Sequence, residues 1–182
     1  MSNPRGFWVR WRVPIGYPIA AGCFWLANPT WRSLEMGTAV GVVGLIVRGL
    51  AAGVVKKREE LTTSGIYSWT RNPLYLGSVI LAAGIIVTSR TWTVAGLVFG
   101  YLAAFYPTVI RSEEEFLRGR FGKEFDAYAS RVSVFLPWPS GHKGNGGAFS
   151  FTQYARNHEY RALVGAIAGF GLMIGRMWMR SR

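Results

Sequence analysis

The chain has 182 residues, of which 50% are apolar, 15% aromatic and only 16% charged. So little charge beside so much aromatic surface is not the composition of a soluble globular domain, and it points to the integral membrane class. The net charge of +12 would suggest nucleic acid in a soluble protein. Here the cations lie between apolar runs, so they read as membrane topology and contact with anionic lipid, and no nucleic-acid partner is expected. One cysteine, Cys23, excludes an internal disulfide, and with two separated histidines, His142 and His158, it leaves no zinc site, so no metal is expected. Cys23 lies in an apolar run and reads as a packed core residue.

Residues 1–12 form a basic arm with Arg5, Arg10 and Arg12, and with Trp8 and Trp11 at interfacial positions; no small-residue cleavage site marks it as a signal peptide. The first apolar run, 13–27, carries Pro14 and Pro18. At about fifteen residues it is short for a span and needs residues 7–11 to complete a crossing. Asn28-Pro29-Thr30 is a turn. Residues 34–55, roughly 22 at about 1.5 Å rise each, are long enough to span. The one charge in mid-segment is Arg48, which either snorkels toward the Lys56, Lys57 and Arg58 cluster or faces an internal cavity.

Residues 61–77, LTTSGIYSWTRNPLYLG, interrupt the apolar pattern with turn chemistry. Gly65 suits a positive φ, Pro73 fixes its own φ, and the proline biases Asn72 toward extended geometry. Asn72 at the cap and Pro73 in the first turn predict a helix running from Leu74. Tyr67, Trp69, Arg71 and Tyr75 then gather where the first amides of that helix point outward, a place that favours an anionic group. Taken alone, these residue types also suit an ordinary interfacial loop. Residues 74–89 and 92–110 form a tight helical hairpin across Arg90-Thr91, and Pro107 is expected to kink the second helix or free a carbonyl, opening room for a ligand.

Residues 111–131 read as an amphipathic helix leaving the membrane. At about 100° per residue, Leu117, Phe121, Phe125, Tyr128 and Val132 share one arc roughly 80° wide, with Glu114 inside it, Glu113 at its edge and Glu115 on the far side. Gly122 is a point of interruption. A carboxylate on the packed face needs a partner, either Arg118 at the i to i+4 spacing or a bound ligand. Residues 140–147, SGHKGNGG, are a flexible linker, and the chain divides into a membrane core (1–139), a linker (140–160) and a C-terminal apolar helix (161–182). The last apolar run, 162–179, carries Gly165, Gly169, Gly171 and Gly175 at spacings that allow close helix approach within the chain or in a homodimer. Arg176, Arg180 and Arg182 at its end leave a tilted, re-entrant or interfacial course open.

The fold expected is all-α, an integral membrane helical bundle of about five transmembrane helices with a cytoplasmic amphipathic helix. Arg5, Arg10, Arg12, Lys56, Lys57, Arg58, Arg71, Arg111, Arg118, Arg120, Lys123, Arg131 and Lys143 fall on one side, against Arg32 and Arg90 on the other. The positive-inside rule therefore puts the 61–77 segment and the glutamate block together on the cytoplasmic side.

Gly65-Ile66-Tyr67, then Arg71-Asn72-Pro73-Leu74-Tyr75-Leu76-Gly77, with Leu61, Thr62 and Thr63 ahead, resembles the signature of the isoprenylcysteine carboxyl methyltransferase family of integral membrane methyltransferases. Glu113-Glu114-Glu115-Phe116-Leu117, Phe121-Gly122, Phe125, Tyr128 and Pro137 resemble its second hallmark, one helical hairpin downstream. The resemblance covers residues 48–137. It implies S-adenosylmethionine as cofactor, bound by Leu61, Thr62, Tyr67, Arg71, Asn72, Pro73, Tyr75 and Glu113, with Arg111, Glu114 and Arg48 as the residues nearest the chemistry. It also implies a lipophilic acceptor at the cytoplasmic membrane face, with carboxyl O-methylation of an isoprenoid or prenylcysteine-like acid ahead of phospholipid amine or thiol methylation. Such a cofactor calls for acidic or polar groups toward amine and diol, a cation or helix N-terminus toward its carboxylate, and aromatic surface toward adenine and sulfonium. In two places the chain departs from the pattern: Asn72 stands where the family commonly has histidine, and Val109 where its prenylcysteine enzymes have a substrate-contacting arginine, with Arg111 the nearest candidate. A reading of another class is a non-enzymatic membrane scaffold that dimerises through the glycine-rich last helix.

Overall fold

A computed structural model of the chain describes residues 4–56, 59–138 and 148–180. Its elements are all helical: α1 (Pro4–Leu26), α2 (Trp31–Val54), a 3₁₀ turn (Gly65–Ser68), α3 (Pro73–Ser89), α4 (Trp92–Phe121), α5 (Lys123–Ala129), α6 (Phe151–Arg156) and α7 (Tyr160–Arg180). By length and composition α2, α4 and α7 can cross a membrane, and α3 is a shorter apolar helix of 17 residues. The bundle is thus the membrane helical fold expected, with three of the five long helices meeting both criteria on their own. α1 reaches the necessary length only by extending back to Pro4 through the basic arm, with Pro14 and Pro18 inside it. Trp25, Trp31 and Trp92 stand exposed at one end of the bundle, and Trp69 and Trp138 at the other, a pair of aromatic belts suited to two headgroup layers.

The most intimate contact joins α2 and α3, and glycine makes it. A Cβ added at Gly37 would lie 2.5 Å from the Gly84 carbonyl oxygen and collide with the Thr88 side chain; one at Gly84 would lie 2.5 Å from the Gly37 carbonyl oxygen. One contact further along the pair, a Cβ at Gly44 would meet the Gly77 oxygen at 2.6 Å, and one at Gly77 the Gly44 oxygen at 2.7 Å. The two backbones therefore touch at a seam of reciprocal glycines, the small-residue packing by which helices associate in lipid. At the end away from the signature loop the seam is fixed by hydrogen bonds. Thr30 and Ser33 form a capping box on α2, and Ser33 Oγ donates to the Thr88 carbonyl at 3.1 Å.

α1 packs on α4 through Cys23, Val94 and Val98, with Ile19, Ile85 and Leu102 around them, so Cys23 is a core residue as expected. α7 lies against the outside of the bundle, where Met173 and Phe170 join Ala27 and Leu34. Arg176 explains how a cation sits at this end. Its Nε donates to the Ala27 carbonyl at 2.8 Å, its Nη2 donates to the Trp25 carbonyl, and the guanidinium stacks over the rings of Phe24 and Trp25. The negative end of the α1 dipole thereby receives the charge.

α4 runs from Trp92 to Phe121 with Pro107 inside it, and the amphipathic stretch is its continuation. Gly122, at φ +52, makes the break before α5. Residues 148–160 lie within the stretch expected to be linker, yet they carry α6 and hydrogen-bond to the end of α2: Ser150 N donates to the Gly53 carbonyl at 2.9 Å and Gln153 Nε2 to the Val55 carbonyl at 2.8 Å. The 140–147 part of that linker, Lys57, Arg58, Lys143 and the side chains of Arg5, Trp8, Arg180 and Arg182 lie outside the described residues.

Candidate active site

The signature loop leaves α2, turns at Gly65 with φ +59 as its sequence required, and enters α3 with Pro73 at the first helical position. Its backbone is clasped along one side by residues 133–138. Arg71 N donates to the Ser133 carbonyl at 2.9 Å, Trp138 N to the Trp69 carbonyl at 3.0 Å, and Thr70 Oγ1 to the Phe135 carbonyl at 3.0 Å. Asn72 holds the cap position but does not cap: its φ and ψ of −125° and 53° are not extended, and its Nδ2 donates to the Val134 carbonyl at 2.9 Å. The expected cap is replaced by a bond to the clasp, because the side chain turns away from the first amides of α3.

From the other side the α4–α5 block closes on the same loop. Leu61 is buried against Phe125, Tyr128 and Val132, with Leu117 and Phe121 beside them, so the helical arc read from the sequence survives the break at Gly122. Tyr128 Oη donates to the Tyr67 carbonyl at 2.7 Å. Arg71 Nε donates to Glu114 at 2.9 Å and its Nη1 to the Ala129 carbonyl at 2.5 Å, an ion pair with side-chain exposures of 10% and 17%. Of the two partners open to Glu114 from the sequence, Arg118 is not the one taken: Arg118 bonds to Asp126 at 2.8 Å, because the turn at Gly122 brings Asp126 back to it while Arg71 takes Glu114. Thr62, Tyr67, Asn72 and Pro73 are buried along the loop, and Thr62 Oγ1 accepts from Lys56 N at 3.4 Å.

The more open part of the site lies between α1, α3 and α4. The Tyr75 and Tyr106 rings meet edge to face at 5.2 Å, Arg12 Nη1 donates to Tyr75 Oη at 3.2 Å, and Tyr101 Oη donates to the Arg12 carbonyl at 3.0 Å. Glu113, exposed, lies close enough for its charge to be felt at the Tyr75 hydroxyl; it follows Tyr106 by two helical turns and so shares its face. Arg111, the candidate for contacting the acceptor, is exposed on α4. Arg48 neither snorkels nor stands free. Its Nε donates to Glu159 Oε1 at 2.6 Å, its Nη2 to Oε2 at 3.0 Å, and its Nη1 to the Leu74 carbonyl at 3.3 Å and to Ser78 Oγ. The reason is tertiary: α6 and the start of α7 deliver a carboxylate to it.

Burial raises the Tyr67 hydroxyl well above the ordinary phenol range, and Tyr128, Glu113 and Glu159 add to the shift; burial raises Tyr128 likewise. Both stay neutral, and therefore able to donate, through the physiological range. Arg12 and Tyr106 were missed from sequence. The signal for Tyr106 was its spacing from Glu113, whereas Arg12 lies too far along the chain for any local pattern to connect it. Among the described residues no group of His, Cys, Asp and Glu could hold a metal ion.

The mouth offers a carboxylate, two phenol rings and a guanidinium, a set that complements an amine or diol, a planar ring and a carboxylate. Ser64 Oγ, in the signature loop, is a buried polar atom without a hydrogen-bond partner.

The sequence model of the family described as phospholipid methyltransferase matches residues 18–124. The chain is 32% identical over 143 residues to the cobalt-zinc-cadmium resistance protein CzcN of Cupriavidus metallidurans, covering 74% of this chain and 65% of that one. It is 30% identical over 138 residues to the nickel-cobalt-cadmium resistance protein NccN of Alcaligenes xylosoxydans xylosoxydans, covering 70% of this chain and 62% of that one. It is also 32% identical over 90 residues to the protein-S-isoprenylcysteine O-methyltransferase of Saccharomyces cerevisiae, covering 47% of this chain and 37% of that one. The chain thus spans less than two thirds of the length of these relatives. No solved structure matches.

Proposed function

The chain belongs to the phospholipid methyltransferase family, and from that premise we propose that it transfers a methyl group from S-adenosylmethionine to a lipophilic acceptor at the cytoplasmic face of a membrane. Carboxyl O-methylation of an isoprenoid or prenylcysteine-like acid is the reaction it fits best. The observation that carries the reading is the Arg71–Glu114 bond, with the Leu61, Phe125, Tyr128 and Val132 cluster beneath it. These contacts bring together two sequence blocks that lie about forty residues apart in the chain. Relatives named as isoprenylcysteine O-methyltransferases support the acid as acceptor.

When bound, the cofactor supplies an electrophilic methyl on a sulfonium. Glu113 and Tyr75 would hold its polar groups, the Tyr75 and Tyr106 rings its planar and cationic parts, and Arg12 its carboxylate. Thr62, Tyr67, Asn72 and Pro73 set the shape of the loop around it. Arg111, exposed on α4, would meet an acceptor carboxylate. A carboxylate acceptor arrives without a proton to lose, so the chain's task is alignment and the exclusion of water, and no general base is required.

Calorimetry on detergent-solubilised protein tests the cofactor. Micromolar S-adenosylmethionine binding that Glu113→Ala weakens at least tenfold, in protein that remains monodisperse, is the expected result. Absence of binding in folded wild-type protein would overturn the reading and favour a membrane scaffold. Radiolabelled methyl transfer to a prenylcysteine acid and to phosphatidylethanolamine vesicles tests the acceptor. A carboxyl methyl ester releases its label on mild alkali, whereas an N- or S-methyl product retains it.

A further inference from the structure

Glu159 lies outside both sequence blocks and outside the residues that match the family, yet among the described residues it is the one charged residue that is buried, at 7% exposure. The backbone is shaped to put it there. His158 takes a left-handed φ of 54°, turning the chain between α6 and α7, and Asn157 Nδ2 donates to the carbonyls of Ala52 at 2.8 Å and Val55 at 2.9 Å. Glu159 then grips Arg48 through both carboxylate oxygens, at 2.6 and 3.0 Å. A two-point grip fixes the plane of a guanidinium as well as its place. The remaining nitrogen, Nη1, is thereby aimed at the Leu74 carbonyl and Ser78 Oγ, in the first turns of α3. Leu74 lies between Pro73 and Tyr75, and Arg48 sits where the glycine seam brings α2 against Gly77.

We infer that Glu159 is a positioning residue: acting through Arg48, it fixes the first turn of α3 and so the placement of Tyr75 and Asn72 in the site. The C-terminal segment is thus a brace for the signature loop as well as a membrane helix. Glu159 also contributes, with Glu113, to the field at the Tyr67 hydroxyl, which puts its carboxylate close to the site without making it a ligand. A paired carboxylate whose two oxygens are both engaged has no need of a ligand to satisfy it. Removing its charge leaves Arg48 half-buried and unpaired, free to swing from α3 toward another anion.

Two measurements on the full chain separate this role from simple stabilisation. Amide hydrogen exchange of peptides covering residues 72–78 should accelerate at least tenfold in Glu159→Gln, while peptides covering 92–104 keep their rates. This readout is independent of the methyl-transfer reading. The second readout rests on that reading: S-adenosylmethionine binding should weaken at least fivefold in the same variant. The exchanged pair Arg48→Glu with Glu159→Arg restores opposite charges but not the donor aimed at Leu74. It should regain thermal stability relative to Arg48→Glu alone and still show fast exchange at 72–78. Unchanged exchange at 72–78 in Glu159→Gln, or an exchanged pair that restores both stability and slow exchange, would overturn the inference; should the exchanged pair fail to fold, Glu159→Gln decides alone. Wild-type protein that binds no cofactor would defeat the methyl-transfer reading and leave the exchange result standing.

Discussion

The glycines of α2 and α3 and the glycines of α7 look alike in sequence and behave in opposite ways. At Gly37, Gly44, Gly77 and Gly84 an added Cβ would strike a facing helix, whereas at Gly165, Gly169, Gly171 and Gly175 it would meet nothing within 4 Å. The first set is used up inside the molecule; the second faces outward, while α7 packs through Phe170, Met173 and Arg176. Small residues at helical spacing permit close approach but do not say to what. The closed seam also sets Arg48 beside Gly77 and thus beside the start of α3.

The largest effect should come from forcing the seam open. Gly37→Leu has no space to fill, because its neighbours are the backbone of Gly84 and the short Thr88 side chain. Loss of the monodisperse peak in size-exclusion chromatography is expected, with destabilisation of more than about 3 kcal/mol. Next comes Arg71→Ala, which leaves Glu114 half-buried without its cation and the Ala129 carbonyl without its donor. Breaking such a pair costs about 3 kcal/mol, and a lowered Tm should accompany weakened cofactor binding. Gly77→Ala is milder, since its Cβ would meet the Cγ of Arg48 at 2.6 Å as well as the Gly44 oxygen. About 1–3 kcal/mol of overpacking is expected in thermal unfolding. Smallest of all should be Gly169→Leu, which should change Tm by no more than the equivalent of about 0.5 kcal/mol. Energy transfer between labelled copies in bilayers, compared for wild type and Gly169→Leu, asks whether the outward glycines pair two chains. Should Gly169→Leu destabilise the detergent-solubilised monomer as strongly as Gly77→Ala, the contrast between the two glycine sets fails.

Much of the candidate site's local geometry was legible because its rules are local. Gly65 needed a positive φ and takes one; Pro73 needed the first turn of a helix and occupies it. The arc through Leu117, Phe121, Phe125, Tyr128 and Val132 packs on Leu61 as one surface despite the break at Gly122. Asn72 and Glu114 show where local rules stop. Asn72 was matched to a helix amide in its own segment and Glu114 either to Arg118 in its own or to a bound ligand, and each instead bonds across more than forty residues of chain, to Val134 and Arg71. A near neighbour in sequence has no advantage once two segments are packed, because the shorter, better-buried contact then wins. Arg48 is the same lesson at longer range: no pattern in residues 34–55 predicts a carboxylate from position 159.

By itself the sequence determined the class of the protein and its principal surfaces: helices, because long apolar runs in a membrane must satisfy their own backbone; one turn-rich loop, because Gly65 and Pro73 allow little else; and the outline of a polar site, because the signature residues and the glutamates are too costly to leave unpartnered in such a chain. Only the tertiary structure decided which cation meets which carboxylate, which glycines are spent inside the bundle, and that the last segment returns to brace the loop. Those choices depend on distances between helices, and the distances are set by packing summed over whole faces rather than by any stretch of residues read in order.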